Sequence, residues 1–124
     1  MKIQQVVIRP NTSFSSRLNE WAIENGVECL EVQLEENFEE HIDGLVIFNQ
    51  NQDMEREALD IRKLFDDRQK PVQRIDINGT LMVGVSNFSL WIERNGCKKI
   101  LMIGSDQLCS NPNLDRYLNH MKAN

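Results

Sequence analysis

The run Gly44-Leu45-Val46-Ile47-Phe48 is continuously apolar and sits between polar residues, Asp43 before it and Asn49-Gln50-Asn51 after it. Five residues are too few for a buried helix, and with no polar alternation neither face of a strand would meet water. The run therefore reads as a central strand of a parallel sheet, covered on both sides. A chain with such a strand needs helices above and below it, and the remaining sequence supplies them in alternation.

Ile3 to Ile8 is a first strand, closed by Arg9-Pro10. Ser13 then caps a helix in which Phe14, Leu18, Trp21, Ala22 and Asn25 share one face, and Gly26 stops it. Val27 to Leu34 is a second strand with imperfect alternation, as at a sheet edge. Glu35 to Glu40 reads as a short acidic helix around Phe38. After the central strand, Asn51 or Asp53 opens a helix with Met54, Ala58, Ile61, Leu64 and Phe65 inward and charges outward. Pro71 precedes a strand from Val72 to Ile77. Asn78-Gly79 turns the chain, and Thr80 caps a helix through Arg94 that ends at Gly96. Lys98 to Ile103 is the fifth strand, and Asn111-Pro112 starts a last helix carrying Leu114, Leu118 and Met121.

Strand and helix thus alternate five times in 124 residues, enough chain for one core. The expected fold is a single α/β domain over residues 1-124, doubly wound in three layers, with a five-stranded parallel sheet in the order 2-1-3-4-5.

Composition narrows the function. With 14 Lys and Arg against 19 Asp and Glu the formal net charge is -5, so no nucleic-acid partner is expected. No apolar run reaches the length of a membrane span, and Met1-Lys2-Ile3-Gln4-Gln5 does not read as a secretory leader, so no membrane is expected and the location reads as cytoplasmic. Cys29, Cys97 and Cys109 are odd in number and widely spaced, which favours reduced thiols over zinc or disulfide chemistry. No metal and no cofactor are expected.

The whole chain resembles the flavodoxin-like group and, within it, the receiver domains of two-component signalling. The positions where receivers carry an acidic pair, a phosphoacceptor aspartate and a lysine hold Arg9-Pro10, Asn49-Gln50-Asn51 and Gly104-Ser105-Asp106 here, and only Thr80 stands where a Ser or Thr belongs. The resemblance implies a phosphorylation-incompetent relative that keeps the scaffold without its chemistry. A second, partial resemblance spans Ile42 to Asp106. The segments Ile42-Asp43-Gly44-Leu45-Val46-Ile47, Lys70-Pro71-Val72 and Ile92-Glu93-Arg94-Asn95-Gly96-Cys97-Lys98-Lys99-Ile100 are similar to the sugar-binding half of LacI-type regulators.

Ligands of open parallel sheets collect at the carboxyl ends of the strands beside the topological switch point, here expected between strands one and three. The candidate ligand-binding residues are Arg9, Asn11, Thr12, Ser13, Asn49, Asp76, Thr80, Ser105 and Asp106. The hydroxyl-rich loop from Arg9 to Ser16 leads into a helix N-terminus that would suit an anionic small molecule such as a phosphate or nucleotide. Asp76 and Asp106, after strands four and five, are candidates to converge as an acid-base or cation-binding pair. His41 and His120 lie away from that rim, so no catalytic residue is assigned and the reading leans against an enzyme. Glu28, Glu31, Glu35, Glu36, Glu39, Glu40 and Asp43 form an acidic cluster with no Lys or Arg in the same segment.

The helix from Thr80 to Arg94 is the unusual one. Leu81, Val85, Phe88 and Ile92 form a stripe for the sheet, whereas Met82, Val83, Leu90 and Trp91 add apolar surface elsewhere around the circumference. One sheet cannot cover both. The expectation is a non-enzymatic interaction or regulatory domain that forms a homodimer through Met82, Val83, Leu90 and Trp91, with a ligand-binding enzyme or sensor as the alternative.

Overall fold

The computed structural model describes residues 3 to 121. The elements are β1 Gln5–Ile8, α1 Ser13–Glu24, β2 Glu28–Glu31, a 3-10 helix Phe38–His41, β3 Gly44–Asn49, α2 Arg56–Asp67, β4 Val72–Asp76, α3 Leu81–Asn95, β5 Lys99–Ile103, a second 3-10 helix Asp106–Ser110, and α4 Pro112–His120. All strand pairings are parallel. The expected three-layer α/β sheet is therefore present, with five strands and helices on both faces.

The strand order corrects the sequence reading. It is β2-β1-β5-β3-β4 rather than 2-1-3-4-5, because β5 inserts between β1 and β3. Burial explains this. Ile100 to Ile103 of β5 are fully enclosed, as a strand flanked on both sides must be, whereas β4 carries Gln73 and the exposed Arg74 and belongs at the edge. Right-handed crossovers then place α1 and α3 on one face and α2 on the other.

Alternation along the strands divides the core accordingly. Val6, Ile8, Val46, Phe48, Ile75, Ile100 and Met102 pack under α1, α3 and α4. Val7, Leu45, Ile47, Leu101 and Ile103 pack under Ala58, Ile61 and Phe65 of α2, with Ile42 and Phe38 closing the end. The Trp21 indole Nε1 donates to the carbonyls of Leu118 (3.0 Å) and Met121 (2.9 Å), so α1 secures the otherwise open C-terminal end of α4.

Several local expectations shift. Thr12, not Ser13, caps α1: its Oγ1 accepts the Ser15 N–H at 2.9 Å. The acidic segment forms only one 3-10 turn, and α2 starts at Arg56 rather than at Asn51 or Asp53. The residues between are drawn into a tight turn in which Asp53 N–H donates to the Gln50 carbonyl at 3.0 Å and both Asn51 (φ 53°) and Gln52 (φ 63°) are left-handed. Asn111 caps α4 and Gly96 ends α3 in the left-handed conformation, as read from the sequence.

Candidate functional site

With β5 between β1 and β3, the switch point moves. The chain leaves β5 toward the α4 face and leaves β3 toward the α2 face, so adjacent strands diverge at the carboxyl ends of β5 and β3. A cavity of about 190 Å³ lies there. Ile47, Phe48, Ala58 and Leu108 form its apolar floor, with Met54 beside them, and Asn49, Gln50, Asp53, Glu55, Ser105 and Gln107 line its polar part. Of the residues singled out in the sequence, the fold brings Asn49 and Ser105 together here.

Asn49 is 3% exposed. Its amide donates to the Ile75 carbonyl and accepts the Gln52 N–H, both at 3.3 Å, long contacts that leave hydrogen-bonding capacity on either end. Ser105 precedes the 3-10 helix without capping it through its hydroxyl.

Arg9, Asn11 and Thr12 line a different cavity, of about 200 Å³, with Ser15, Asn19, Cys29 and Glu31. The Arg9 guanidinium extends over the end of β5, where Nη2 donates to the Gly104 carbonyl at 2.9 Å and Nη1 pairs with Glu57 of α2 at 3.1 Å. Asn11 is exposed in a left-handed conformation, and Ser13 is the exposed first residue of α1. The donors expected for an anion at this helix start are engaged by the protein itself. Thr12 takes the Ser15 N–H, and the Asp106 carboxylate accepts the Phe14 N–H at 3.0 Å.

Asp76 and Asp106 do not share adjacent strands, since β3 lies between β4 and β5. Asp76 instead holds the strained turn: its Oδ1 accepts the N–H groups of Asn51 (3.2 Å) and Asn78 (2.9 Å), and its Oδ2 that of Gln52 (2.6 Å). Around it Asn51, Asn78, Asn111 and Gln50 are linked amide to amide at 2.8 to 2.9 Å, tying together the loops that follow β3, β4 and β5. Thr80 occupies the N-cap position of α3 but makes no side-chain cap bond there. Burial raises the Tyr117 phenol, with Asp76 adding to the rise and Arg116 opposing it, and its hydroxyl donates to the Gly79 carbonyl at 3.0 Å.

The acidic cluster is compensated from outside its own segment. Arg68 Nη2 lies 3.1 Å from Glu40 and 3.6 Å from the buried Glu39, and the Lys70 ammonium donates to the carbonyls of Glu39, Glu40 and Ile42. The Asp43 carboxylate accepts the N–H groups of Lys98 and Lys99. All three cysteines are free thiols. Cys97 is pushed up to about 11 by burial and then by the Asp43 carboxylate beside it, away from nucleophilic reactivity.

The outer face of α3 is the other candidate surface. Met82 is 60% exposed, Val83 56% and Leu90 45%, with the exposed Ser86 and Asn87 between them. Trp91 differs from this group. It is half-buried against its own core, stacks on Phe88 at a centroid distance of 6.4 Å, and lies over Gly44, where an added Cβ would come within 2.9 Å of its Cη2.

Among the described residues, no group of three or more His, Cys, Asp or Glu side chains is gathered as it would be around a metal ion, and no helix is long and apolar enough to cross a membrane. No family model matches the chain, and no curated protein sequence matches it. A solved structure of a "putative molybdenum carrier protein" from Syntrophus aciditrophicus SB is similar to it, with a TM-score of 0.67 at 9% identity over 97% of this chain and 92% of that one. At that identity the likeness establishes the α/β fold.

Proposed function

We propose that this chain is a non-enzymatic interaction domain that acts as a homodimer through the outer face of α3. The observation that supports this reading is an exposed helix surface with no charged residue from Leu81 to Trp91, from which Met82, Val83 and Leu90 project. Large apolar side chains grouped on an uncharged face lose free energy in water and regain it against a matching surface, and a second copy of the same helix provides one. Elsewhere the exposed apolar residues stand among charges, as Ile23 does between Glu20 and Glu24.

The engagement of Asp76 and Asp106 by backbone N–H groups fits a structural rather than a catalytic role for the rim carboxylates. Trp91, because it packs on its own domain, borders the proposed contact and is not its centre.

Light scattering across a concentration series tests the proposal. The parent chain should approach twice the 14.5 kDa monomer mass in the high micromolar range. Val83→Glu should weaken the dimer by at least ~30-fold, since removing a central interface contact costs on the order of 2 kcal/mol. A parent that stays monomeric at those concentrations rejects the dimer.

A further inference from the structure

An asparagine followed by glycine is prone to lose its side-chain amide, because a following residue without Cβ lets its main-chain nitrogen approach the asparagine Cγ. The chain carries three such pairs, Asn25-Gly26, Asn78-Gly79 and Asn95-Gly96. In each, the glycine N–H donates to a carbonyl: that of Ile23 at 3.2 Å, of Asp76 at 3.0 Å and of Ile92 at 2.9 Å. This bond is common to all three, so what separates them is the asparagine side chain.

At the ends of α1 and α3 that side chain is folded back along its own helix. Asn25 Nδ2 donates to the Trp21 carbonyl at 2.9 Å and Asn95 Nδ2 to the Trp91 carbonyl at 2.8 Å, each four residues earlier. Cγ is thereby held toward the helix start, away from the glycine nitrogen that follows. The Asn78 side chain is held instead by other loops, at the exposed turn between β4 and α3. Its Oδ1 accepts the Nδ2–H groups of both Asn111 and Asn113 at 2.9 Å, and its Nδ2 donates to Asn51 Oδ1 at 2.8 Å. Two donors on one amide oxygen draw charge from Cγ and stabilise the alkoxide that forms when a nucleophile adds there.

From this geometry we infer that Asn78-Gly79 is a self-modifying pair, the one of the three that deamidates in the folded protein. The Gly79 nitrogen gives up its proton and bonds to Asn78 Cγ, the Cγ–Nδ2 bond breaks, and Nδ2 leaves as ammonia with that proton. One water then opens the resulting succinimide at either carbonyl, giving aspartate or isoaspartate, and no oxidant or reductant is involved. Neither product, ionised, can donate to Asn51, and isoaspartate also adds a methylene to the main chain just before α3. The change therefore loosens the tie between the loops that follow β3, β4 and β5.

Peptide mapping by mass spectrometry, on the full chain incubated folded in mildly alkaline buffer, reads the three pairs separately. Asn78 should convert at least ~10-fold faster than Asn25 or Asn95, whose reaction waits for a helix end to open. In urea concentrated enough to unfold the parent chain the three rates should converge, because the fold and not the dipeptide sets the ranking. Asn113→Ala removes one donor to Oδ1 and should slow Asn78 by at least ~3-fold, the worth of one neutral hydrogen bond, while its melting temperature stays near that of the parent. Three results would each overturn the inference: conversion at Asn78 no faster than at the helix ends in the folded chain, an equal lead for Asn78 in urea, or an undiminished rate in folded Asn113→Ala. The first two use the parent chain alone and decide the matter even where the variant does not fold. None of these outcomes depends on the dimer through α3.

Discussion

Helices α2 and α3 cross opposite faces of the same sheet, and their inner sides are alike. Ala58, Ile61 and Phe65 seal one face, and Phe88 and Ile92 the other, with Leu81 and Val85 at the margin. Their outer sides are not alike. That of α2 carries the pairs Arg56–Asp60 at 3.3 Å, Arg62–Asp66 at 3.6 Å and Lys63–Asp67 at 3.5 Å, each spaced i,i+4. That of α3 has no charge until Glu93. Inward faces build the fold, and here they make the two helices equivalent. Outward faces record what a helix meets next: α2 is built for water, and α3, on our proposal, for a second copy.

The inner equivalence can be broken first, because its effects are largest. Phe65→Ala and Phe88→Ala each empty a fully buried ring site and should each cost about 3–5 kcal/mol in urea unfolding. A near-neutral Phe88→Ala would mean that α3 is not anchored on the sheet. Next comes the margin of α3. Gly44→Ala would push a methyl against Cys97 Sγ and Trp91 Cη2, each at 2.9 Å, and should destabilise by about 1–3 kcal/mol. No loss would show that Trp91 can swing away from its own core, and so sharpen the difference between the helices by adding it to the exposed face. The smallest effect belongs to the outer side of α2. Arg62→Ala should cost only about 0.3–0.5 kcal/mol, an amount that added salt erases, because both partners are solvated. Salt should not weaken an apolar α3 contact in the same way.

Much of this fold could be read from local pattern. The continuous run at Gly44, the capping residue Asn111 before Pro112 and the stop at Gly96 all act over a few residues, and all occur where expected. The strand order was also legible, in a signal that the order 2-1-3-4-5 overrides: Val72-Gln73-Arg74-Ile75-Asp76 is too polar for an interior strand, and Lys99-Ile100-Leu101-Met102-Ile103 is too apolar for an edge. The rim was less legible because its bonds are remote in sequence. Asp106 reaches Phe14 across 92 residues, and Asp76 reaches Gln52 across 24. Nor does a helical repeat reveal that Gly44, on another element, leaves room for Trp91. Pattern reports which side chains avoid water, whereas the partner of each is decided by the tertiary arrangement.

Leu59 on α2 and Leu90 on α3 are both 45% exposed, which makes them a matched pair for the central claim. Sedimentation equilibrium of Leu59→Glu and Leu90→Glu beside the parent isolates the helix face from the chemistry of the substitution. A homodimer through α3 predicts that Leu59→Glu associates as the parent does and that Leu90→Glu sediments as a folded monomer at the same concentration. Equal association of both variants, or loss of the dimer in Leu59→Glu alone, would contradict it.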